Sequence, residues 1–259
     1  MKVNPISTWP EVEKVYTDFR SSSKRWIFRG QRDFKMPLKT TLERALVDRF
    51  GIKLDDAQDT EDRLLREFKR HLHRYTNDVP DNGDKIRWLA LMQHHGAPTR
   101  LLDFTYSFYI AVFFAIEKAK PGDTCAVWAI DLDWIWKTAK AELPPELIKN
   151  VCDPNISKDP DTINGLFNIR KKIIVTLTPM QLDDRLAVQQ GTFACGLDIT
   201  KSFDNLIHDL AKTDREYKEH VCKVKLNCSR EFIKDAIIEL NRMNIKRLSL
   251  FPGVDGLAQ

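Results

Sequence analysis

Residues 93–115, QHHGAPTRLLDFTYSFYIAVFFA, join a run of polar side chains to an almost wholly apolar segment. The apolar half has the length and small-residue spacing of a buried helix, with Ala111 and Ala115 four residues apart. Thr105 or Ser107 is a candidate cap for its amino end. A buried helix does not need histidine, arginine and aspartate before it, so the polar half predicts a functional site beside a core helix.

Length, composition and charge indicate a globular protein. The chain has 259 residues, of which 42% are hydrophobic, so it can bury a substantial core. The net charge of +4 is compatible with a polyanionic partner but does not require one. The five cysteines include no C-x-x-C pair, which predicts reduced thiols and no zinc site. No signal-peptide pattern and no run of roughly 18 apolar residues is present, so we expect a cytoplasmic protein without membrane contact.

Strands and helices follow one another irregularly on both sides of this stretch. Helices are predicted at PLKTTLERALVDRFG, DKIRWLALMQHHG and SREFIKDAIIELNRMN, and strands at SKRWIFRGQ, TCAVWAIDLDWI, KKIIVTLTP, RLAVQQGTFACG and HVCKVKL. The segment TRLLDFT is predicted to be a short connector. This pattern indicates an α+β fold with a mixed central sheet flanked by helices. We expect one domain over residues 1–259, with a loop-rich insertion near residues 142–165, where proline and acidic residues cluster.

Polar groups from three parts of the chain are expected to meet in one cleft of such a fold. Arg29 lies at the end of a predicted strand and precedes Gly30, where the backbone can approach a ligand closely. The polar residues 94–107 precede the buried helix, and Gln189 lies near the end of another predicted strand. If these segments converge, Arg29, Thr105 and Gln189 line a single concavity.

Each of these residues also has a purely structural interpretation. His94 and His95 end a helix and point in different directions, which favours a hydrogen bond or a ligand contact over metal ligation. Arg100 and Asp103 can equally form an internal ion pair that holds the connector. The sequence contains no phosphate-binding P-loop, no G-x-G-x-x-G fingerprint and no G-x-S-x-G elbow, which argues against the common nucleotide triphosphatases, dinucleotide-binding folds and hydrolases.

Four motifs resemble the FRG domain family, which is named for its Phe-Arg-Gly motif. In order, they are FRGQ at residues 28–31, QHHGAPTRLLDFT with AVFFA at 93–115, RLAVQQGTF at 185–193 and LFPGVDGLA at 250–258. The resemblance runs from Trp26 to the C-terminus. The family is described by sequence, so the resemblance implies a fold more directly than an activity.

The same motifs resemble, more distantly, the toxin-type ADP-ribosyltransferases. Those enzymes place an arginine on a first strand, an S-T-S-like strand before an A-x-x-F-A helix, and a Glu or Gln strand before a G-x-x-F-like turn. The matching residues here are, in the same order, Arg29 and Gly30, Thr105 and Ser107 before Ala111 to Ala115, and Gln189 to Phe193. This resemblance implies an ADP-ribosyltransferase-like fold with NAD as substrate and no metal.

The resemblance also implies roles for individual residues. The residues expected to contact NAD are Arg29, Gly30, Gln31, His94, His95, Arg100 and Ser107, and those expected to act in catalysis are Asp103, Thr105, Arg185 and Gln189. The usual catalytic glutamate is absent from the last strand. The neutral amide of Gln189 cannot stabilise a developing cation as a carboxylate does, nor act as a general base. Either Asp103, Asp183 or Asp184 has that role, or the chemistry is different.

Three classes of function remain open at this level. The first is an NAD-dependent transferase that moves ADP-ribose onto a macromolecule such as a nucleic acid. Such an enzyme would act as a toxin in bacterial or phage defence, with an antitoxin or neutralising protein as partner. The second is a non-catalytic nucleotide or nucleic-acid binding module, in which Arg29, Arg100 and Arg185 form a phosphate pocket. The third is another enzyme that acts on nucleotides, such as a nuclease or glycosidase.

Overall fold

The computed structural model describes residues 4–152, 160–179 and 183–253. Within these ranges, six strands form one sheet in the order β4-β5-β2-β1-β3-β6. The strands are β1 (Trp26–Gln31), β2 (Leu101–Thr105), β3 (Asp123–Asp131), β4 (Ile174–Leu177), β5 (Gly191–Gly196) and β6 (Val221–Cys228). Neighbouring strands pair antiparallel, and a parallel bridge between Ile6 and Leu226 extends the β6 edge.

The helices lie on both faces of this sheet, which confirms the predicted α+β class. They are α1 (Trp9–Ser21), α2 (Thr41–Glu43, continued as a π-helix over Arg44–Arg49), α3 (Ala57–Leu72), α4 (Lys85–His94), α5 (Phe108–Ile116), α6 (Leu132–Glu142), α7 (Pro145–Cys152), α8 (Pro160–Leu166), α9 (Asp184–Val188), α10 (Phe203–Thr213), α11 (Tyr217–His220), α12 (Arg230–Arg242) and α13 (Arg247–Leu250). A short 3₁₀ turn, Leu54–Asp56, precedes α3.

The sheet divides into two halves of three strands each. β1 pairs with β3 along its whole length, and β2 pairs with β5 along its whole length. Between β1 and β2, the described register consists of one position, Phe28 opposite Thr105. Beyond that position the two strands part, and an opening lies between the halves β4-β5-β2 and β1-β3-β6.

Separate groups of helices cover the two halves on one face of the sheet. Helices α1, α5 and α12 pack on the β1-β3-β6 half, and α3, α4 and α8 pack on the β4-β5-β2 half. Phe28 and Leu101, one from each cluster, lie on the same face because Phe28 pairs with Thr105 and side chains alternate along β2. Helices α6 and α10 contribute to a further cluster on the other face. The opening therefore lies between two packed cores.

The segment TRLLDFT is not a connector, and that prediction was wrong. It forms β2, in which Leu101, Leu102 and Phe104 are buried and the backbone pairs with strands on both sides. The segment has too few apolar residues to show the alternation of apolar and polar positions that is typical of a strand. Pairing with distant strands therefore decides its conformation.

The segment RLAVQQGTFACG is not one strand, as predicted, but a helix followed by a strand. The side chain of Asp183 accepts a hydrogen bond from the Leu186 amide and so caps α9. Gln190 has a left-handed backbone, with φ of 47°, and ends the helical segment. β5 then begins at Gly191. Gln189 is thus held in a turn, and the predicted Arg185–Gly191 strand is replaced by a helix.

The predicted loop-rich insertion near residues 142–165 contains two helices where it is described. Pro145 and Pro160 begin α7 and α8, because proline is favoured in the first turn of a helix as well as in loops. Residues 153–159 lie outside the described residues, as do residues 254–258 of the LFPGVDGLA motif.

Two further findings concern the cysteines and the helix lengths. The cysteines with described side chains, Cys125, Cys195, Cys222 and Cys228, are buried free thiols. Among the described helices, none is both long and apolar enough to cross a bilayer.

Candidate functional site

A cleft of about 230 Å³ lies where β1 and β2 separate. Its lining consists of Phe28, Arg29, Gly30, Asp103, Phe104, Thr105, Phe114, Arg185 and Gln189. These residues come from β1, β2, α5, α9 and the turn after α9. The sequence-based prediction that Arg29, Thr105 and Gln189 line one concavity is confirmed.

Arg29 and Asp103 face each other across the opening. Arg29 Nη1 donates a hydrogen bond to the Asp103 carbonyl oxygen at 2.6 Å and lies 3.8 Å from Asp103 Oδ2. Burial lowers the pKa of Arg29, while the Asp103 carboxylate opposes that shift. The guanidinium therefore bridges the two halves of the sheet at the point where their backbones no longer pair.

The Asp103 carboxylate is the exposed acid of the cleft. Its side chain is 59% exposed, and Oδ1 accepts a hydrogen bond of 2.6 Å from Gln93 Nε2 at the end of α4. This contact fixes the carboxylate without neutralising it. Oδ2 has the longer 3.8 Å contact with Arg29 and remains able to accept a hydrogen bond from a ligand.

Arg185 gives the cleft a second guanidinium. Its guanidinium carbon lies 4.7 Å from the centre of the Phe251 ring. Among the residues that the structure describes, Arg185 makes no hydrogen bond or ion pair. Its N–H donors are therefore available to an anion.

Thr105 and Gln189 are linked by a hydrogen bond that holds the turn after α9. Thr105 Oγ1 donates to the Gln189 carbonyl oxygen at 2.7 Å and accepts from the Ser107 amide at 3.0 Å. Gln189 Nε2 donates to the Leu250 carbonyl oxygen at 2.9 Å. Each residue lines the cleft, and each also has a structural contact that sequence could not show.

The apolar part of the lining is aromatic. Phe28 and Phe104 are almost fully buried, and Phe114 extends from α5. A flat ring of a ligand can pack on Phe114, the partly exposed aromatic side chain of the lining, while the polar groups of the cleft fix its orientation. The chemistry of the cleft therefore fits an anionic ligand that carries an aromatic ring.

Arg100 does not line the cleft, contrary to its predicted role. Its side chain is 3% exposed and pairs with the fully buried Glu61, with an Nη2–Oε2 distance of 2.6 Å. Gln58 Oε1 accepts a further hydrogen bond from Arg100 at 2.8 Å. The alternative of an internal ion pair is the observed one, but the partner is Glu61 and not Asp103.

Gln31 and Ser107 also lie outside the lining. Gln31 Nε2 donates to the carbonyl oxygens of Met36 and Pro37, and Gln31 Oε1 accepts from Trp128 Nε1 at 2.6 Å. Ser107 caps α5 by accepting from the Ile110 amide. Their side chains hold the loop after β1 and the start of α5.

The two histidines lie at the end of α4 and do not reach the cleft. His94 Nδ1 lies 3.3 Å from Asp183 Oδ2, which joins α4 to the cap of α9. His95 is exposed and contacts the rings of Phe68 and His94. His94 acts on the site only through α9, which carries Arg185.

Gly30 lines the cleft, and the approach of α5 explains why this position is glycine. A Cβ on Gly30 would overlap the Ala111 carbonyl oxygen and lie 2.5 Å from the Ala115 nitrogen. Helix α5 thus packs directly on the β1 backbone, through a contact that any side chain would prevent. The Arg-Gly pair combines a cleft residue with a packing residue.

Sequence reasoning missed the contribution of α13 and the residue after it. Phe251 contacts Arg185, and Leu250 holds Gln189 through its carbonyl oxygen. The motif LFPGVDGLA was recognised, but nothing in its residue types indicated a contact with α9. Sequence likewise did not predict a role for Gln93, which holds the Asp103 carboxylate.

A larger surface depression of about 660 Å³ lies between α6 and α10. Its three lysines are paired with acids: Lys171 with Glu142, and Lys172 and Lys212 with Asp209. Arg170 also lines the depression and makes no ion pair with another described residue. The β1–β2 cleft is the better candidate because it combines two guanidinium groups and the Asp103 carboxylate with an aromatic lining.

The structure defines an α+β protein with an arginine-lined cleft in a divided sheet. In comparisons with known proteins, residues 24–124 match the FRG domain. No curated protein and no solved structure matches the chain. These comparisons give no support to the more distant resemblance to ADP-ribosyltransferases. The matched segment includes Arg29, Asp103 and Thr105, whereas Arg185 and Gln189 lie beyond it.

Proposed function

We propose that this protein binds NAD in the β1–β2 cleft and transfers its ADP-ribose to a macromolecular acceptor. The observation that carries this proposal is the placement of Arg29, Asp103 and Arg185 on one cleft. NAD presents two phosphates, which suit the two guanidinium groups. It also presents a ribose carbon that becomes positively charged as nicotinamide leaves, which suits a carboxylate.

The cleft residues would have the following roles in the reaction. When the bond between ribose C1′ and the nicotinamide nitrogen breaks, its electron pair leaves with nicotinamide and C1′ becomes cation-like. The Asp103 carboxylate would stabilise that cation and then accept the proton of the attacking acceptor group. Arg29 and Arg185 would hold the phosphates, and the aromatic lining would contact the adenine or nicotinamide ring.

Among the three candidate carboxylates, the placement favours Asp103. Asp103 lines the cleft with an exposed side chain. Asp183 is engaged with the Leu186 amide and with His94, and Asp184, at the start of α9, does not contribute to the lining. The order of motifs along the chain, with Arg29 on β1, Thr105 before α5 and Gln189 before β5, also supports a transferase.

A second function, a nucleotide-binding module without catalysis, is favoured by Gln189. In the order of motifs along the chain, its neutral side chain takes the place of the glutamate of the resembling transferases, and it already donates to the Leu250 carbonyl oxygen. In that case the same arginines hold phosphates, and NAD binds without loss of nicotinamide. Measuring binding and nicotinamide release separately distinguishes the two functions.

The test is chromatographic detection of nicotinamide after the purified protein is incubated with NAD. It is run with buffer alone, with bacterial RNA and with bacterial protein as acceptor. We expect Asp103→Asn to reduce release at least a hundredfold, because a neutral amide cannot stabilise the cation. The matched control is Asp235→Asn, which makes the same change at an exposed position on α12.

Each outcome separates the functions. Release by the wild type that is lost in Asp103→Asn and kept in Asp235→Asn supports the transferase. Calorimetric binding of NAD without release supports the binding module. If neither NAD nor ADP-ribose binds, both proposals are wrong.

Nucleic acid is the proposed acceptor, and a toxin in bacterial or phage defence is the proposed role. The net charge of +4 favours approach to a polyanion. Release stimulated by RNA or DNA, with label from NAD retained on the nucleic acid, is the expected result. Toxicity of the wild type on expression in bacteria, relieved by Asp103→Asn, would imply that a neutralising protein accompanies it.

A further inference from the structure

The ring of Phe251, directly after α13, contacts two guanidinium groups. The guanidinium carbon of Arg185 lies 4.7 Å from the ring centre, and that of Arg247 lies 4.5 Å from it. The ring also meets Phe114 edge-on, with 6.0 Å between ring centres. Phe251 is therefore packed between α5 and two arginines, one of which lines the cleft.

The contact with Phe251 restricts the Arg185 side chain without neutralising its charge. A long arginine side chain with no partner samples many rotamers and loses that freedom when a ligand binds. An acidic partner would hold it but would also neutralise it. An aromatic face holds the guanidinium by a cation–π contact and leaves its N–H donors for an anion.

The segment that carries Phe251 is fixed on both sides. Arg247 forms an ion pair with Glu117, directly after α5. The Leu250 carbonyl oxygen accepts a hydrogen bond from Gln189. The segment Arg247–Phe251 thus joins α5 to the turn after α9, and Phe251 is held in register with Arg185.

We propose that Phe251 is a positioning residue for Arg185, so that the second arginine of the cleft is preset for the anionic group of the ligand. The inference rests on the proposed nucleotide binding and deepens it. The FRG match ends at residue 124, so this half of the cleft is supplied by another part of the chain. Arg185 and its aromatic support thereby help set which phosphorylated ligand the cleft accepts.

The first test needs no ligand. In a ¹⁵N-arginine side-chain NMR spectrum, the Arg185 Nε–Hε signal, assigned with Arg185→Lys, should carry a ring-current shift from Phe251. That shift should disappear in Phe251→Leu and persist in Phe251→Tyr. Phe50→Leu is the matched control, because exposed Phe50 stacks with Arg49 at 5.0 Å and does not line the cleft.

The second test measures ADP-ribose affinity by calorimetry in a double-mutant cycle. We expect Phe251→Leu to weaken binding five- to tenfold in the wild-type background and to have no further effect in Arg185→Ala. Phe251→Tyr should bind normally, and unfolding midpoints identify any variant that fails to fold.

An unchanged Arg185 signal in Phe251→Leu would overturn the inference. So would a loss of affinity in Phe251→Leu that persists in Arg185→Ala. If the Arg185 signal responds to Phe251 while the wild type binds no ADP-ribose, the positioning contact stands and the proposed nucleotide function fails. The two failures are thus distinguishable.

Discussion

Arg29 and Arg100 both lie near a carboxylate, and the surroundings of that carboxylate decide what each arginine does. The Asp103 carboxylate is mostly exposed and lies 3.8 Å from Arg29, too far for a direct hydrogen bond, so water or a ligand can compete for it. Glu61 is fully buried, and Arg100 is bound to it and to Gln58. The first arginine is available for binding, and the second is committed to the fold.

At Arg29, replacement by lysine tests the phosphate contact. Arg29→Lys keeps the positive charge but loses the planar pair of donors, so we expect ADP-ribose affinity to fall about tenfold, or roughly 1.4 kcal/mol. Arg32→Lys, at an exposed position just after β1, is the matched control. If Arg29→Lys lowers the unfolding midpoint sharply while its folded fraction binds normally, Arg29 is structural.

At Arg100, removal of the charge tests the buried pair. Arg100→Met leaves Glu61 buried without its ion-pair partner, which should cost about 3–5 kcal/mol of unfolding free energy. The double variant Arg100→Met with Glu61→Leu should recover much of that loss. Urea denaturation measures both. A single variant as stable as the wild type would contradict this account of the pair.

At the scale of elements, the short helix α9 depends on contacts with its neighbours. It has five residues, too few for a stable isolated helix. Asp183 caps it and contacts His94, Arg185 stacks on Phe251, and the following Gln189 bonds to Thr105 and Leu250. The position of a cleft-lining element is thus set by contacts with α4, β2 and α13.

The Asp183 contact makes this arrangement sensitive to acid. Burial alone raises the pKa of Asp183, but the His94 ring and the Leu186 amide outweigh it and hold the pKa below the ordinary value. A carboxyl with a lowered pKa in the folded state stabilises the fold above about pH 4, and that contribution is lost as the pH falls through the folded value.

Asp183→Asn should therefore be less stable than the wild type at pH 6, and the difference in unfolding free energy should shrink towards roughly pH 3. Chemical denaturation at several pH values measures it, with Asp235→Asn on α12 as the surface control. A difference that is constant with pH would show that the Asp183 charge contributes nothing.

For the whole molecule, the divided sheet makes ligand binding a link between two cores. The described register joins β1 to β2 at Phe28 and Thr105, while Arg29 crosses the opening to the Asp103 carbonyl oxygen. A ligand held by Arg29 on one side and Arg185 on the other would add a second connection. Its binding should stabilise the folded state by mass action.

Amide hydrogen exchange tests this link. ADP-ribose at about 100 times its dissociation constant should stabilise the protein by about 2.7 kcal/mol. Local protection should be greatest in β1, β2 and α9. The same concentration should protect Arg29→Lys less. Protection confined to the depression between α6 and α10 would place the ligand elsewhere.

Much of the fold was predictable where local patterns are strong. The β1 strand, the helix that ends before Gly96 and most of the β3 strand were predicted and confirmed. Thr40 and Ser229 cap α2 and α12, and Glu43 Oε1 accepts a hydrogen bond from the Phe203 amide. The failures include β2 and α9, whose conformation depends on distant partners, and residues 132–135 of the predicted TCAVWAIDLDWI strand, which begin α6.

Within the candidate site, sequence correctly predicted that Arg29, Thr105 and Gln189 converge, because their motifs end or begin elements that lead into one sheet. The sequence could not show the role of Arg100. The residues around it are the same whether its side chain pairs with nearby Asp103 or with Glu61, which is distant along the chain. The sequence placed Gly30 at the site, where Gly30 lines the cleft, but it could not show that α5 packs directly on this glycine.

The sequence by itself determined the α+β class, the buried helix α5 and the residue types of the cleft, because hydrophobic periodicity and caps act over a few neighbouring residues. Only the tertiary structure decided which polar side chains remain available to bind a ligand. Arg100 is neutralised by Glu61, whereas Arg185 rests on Phe251, which holds it without cancelling its charge. Availability depends on what lies within a few ångströms in space, and those partners are 39 and 66 residues away along the chain.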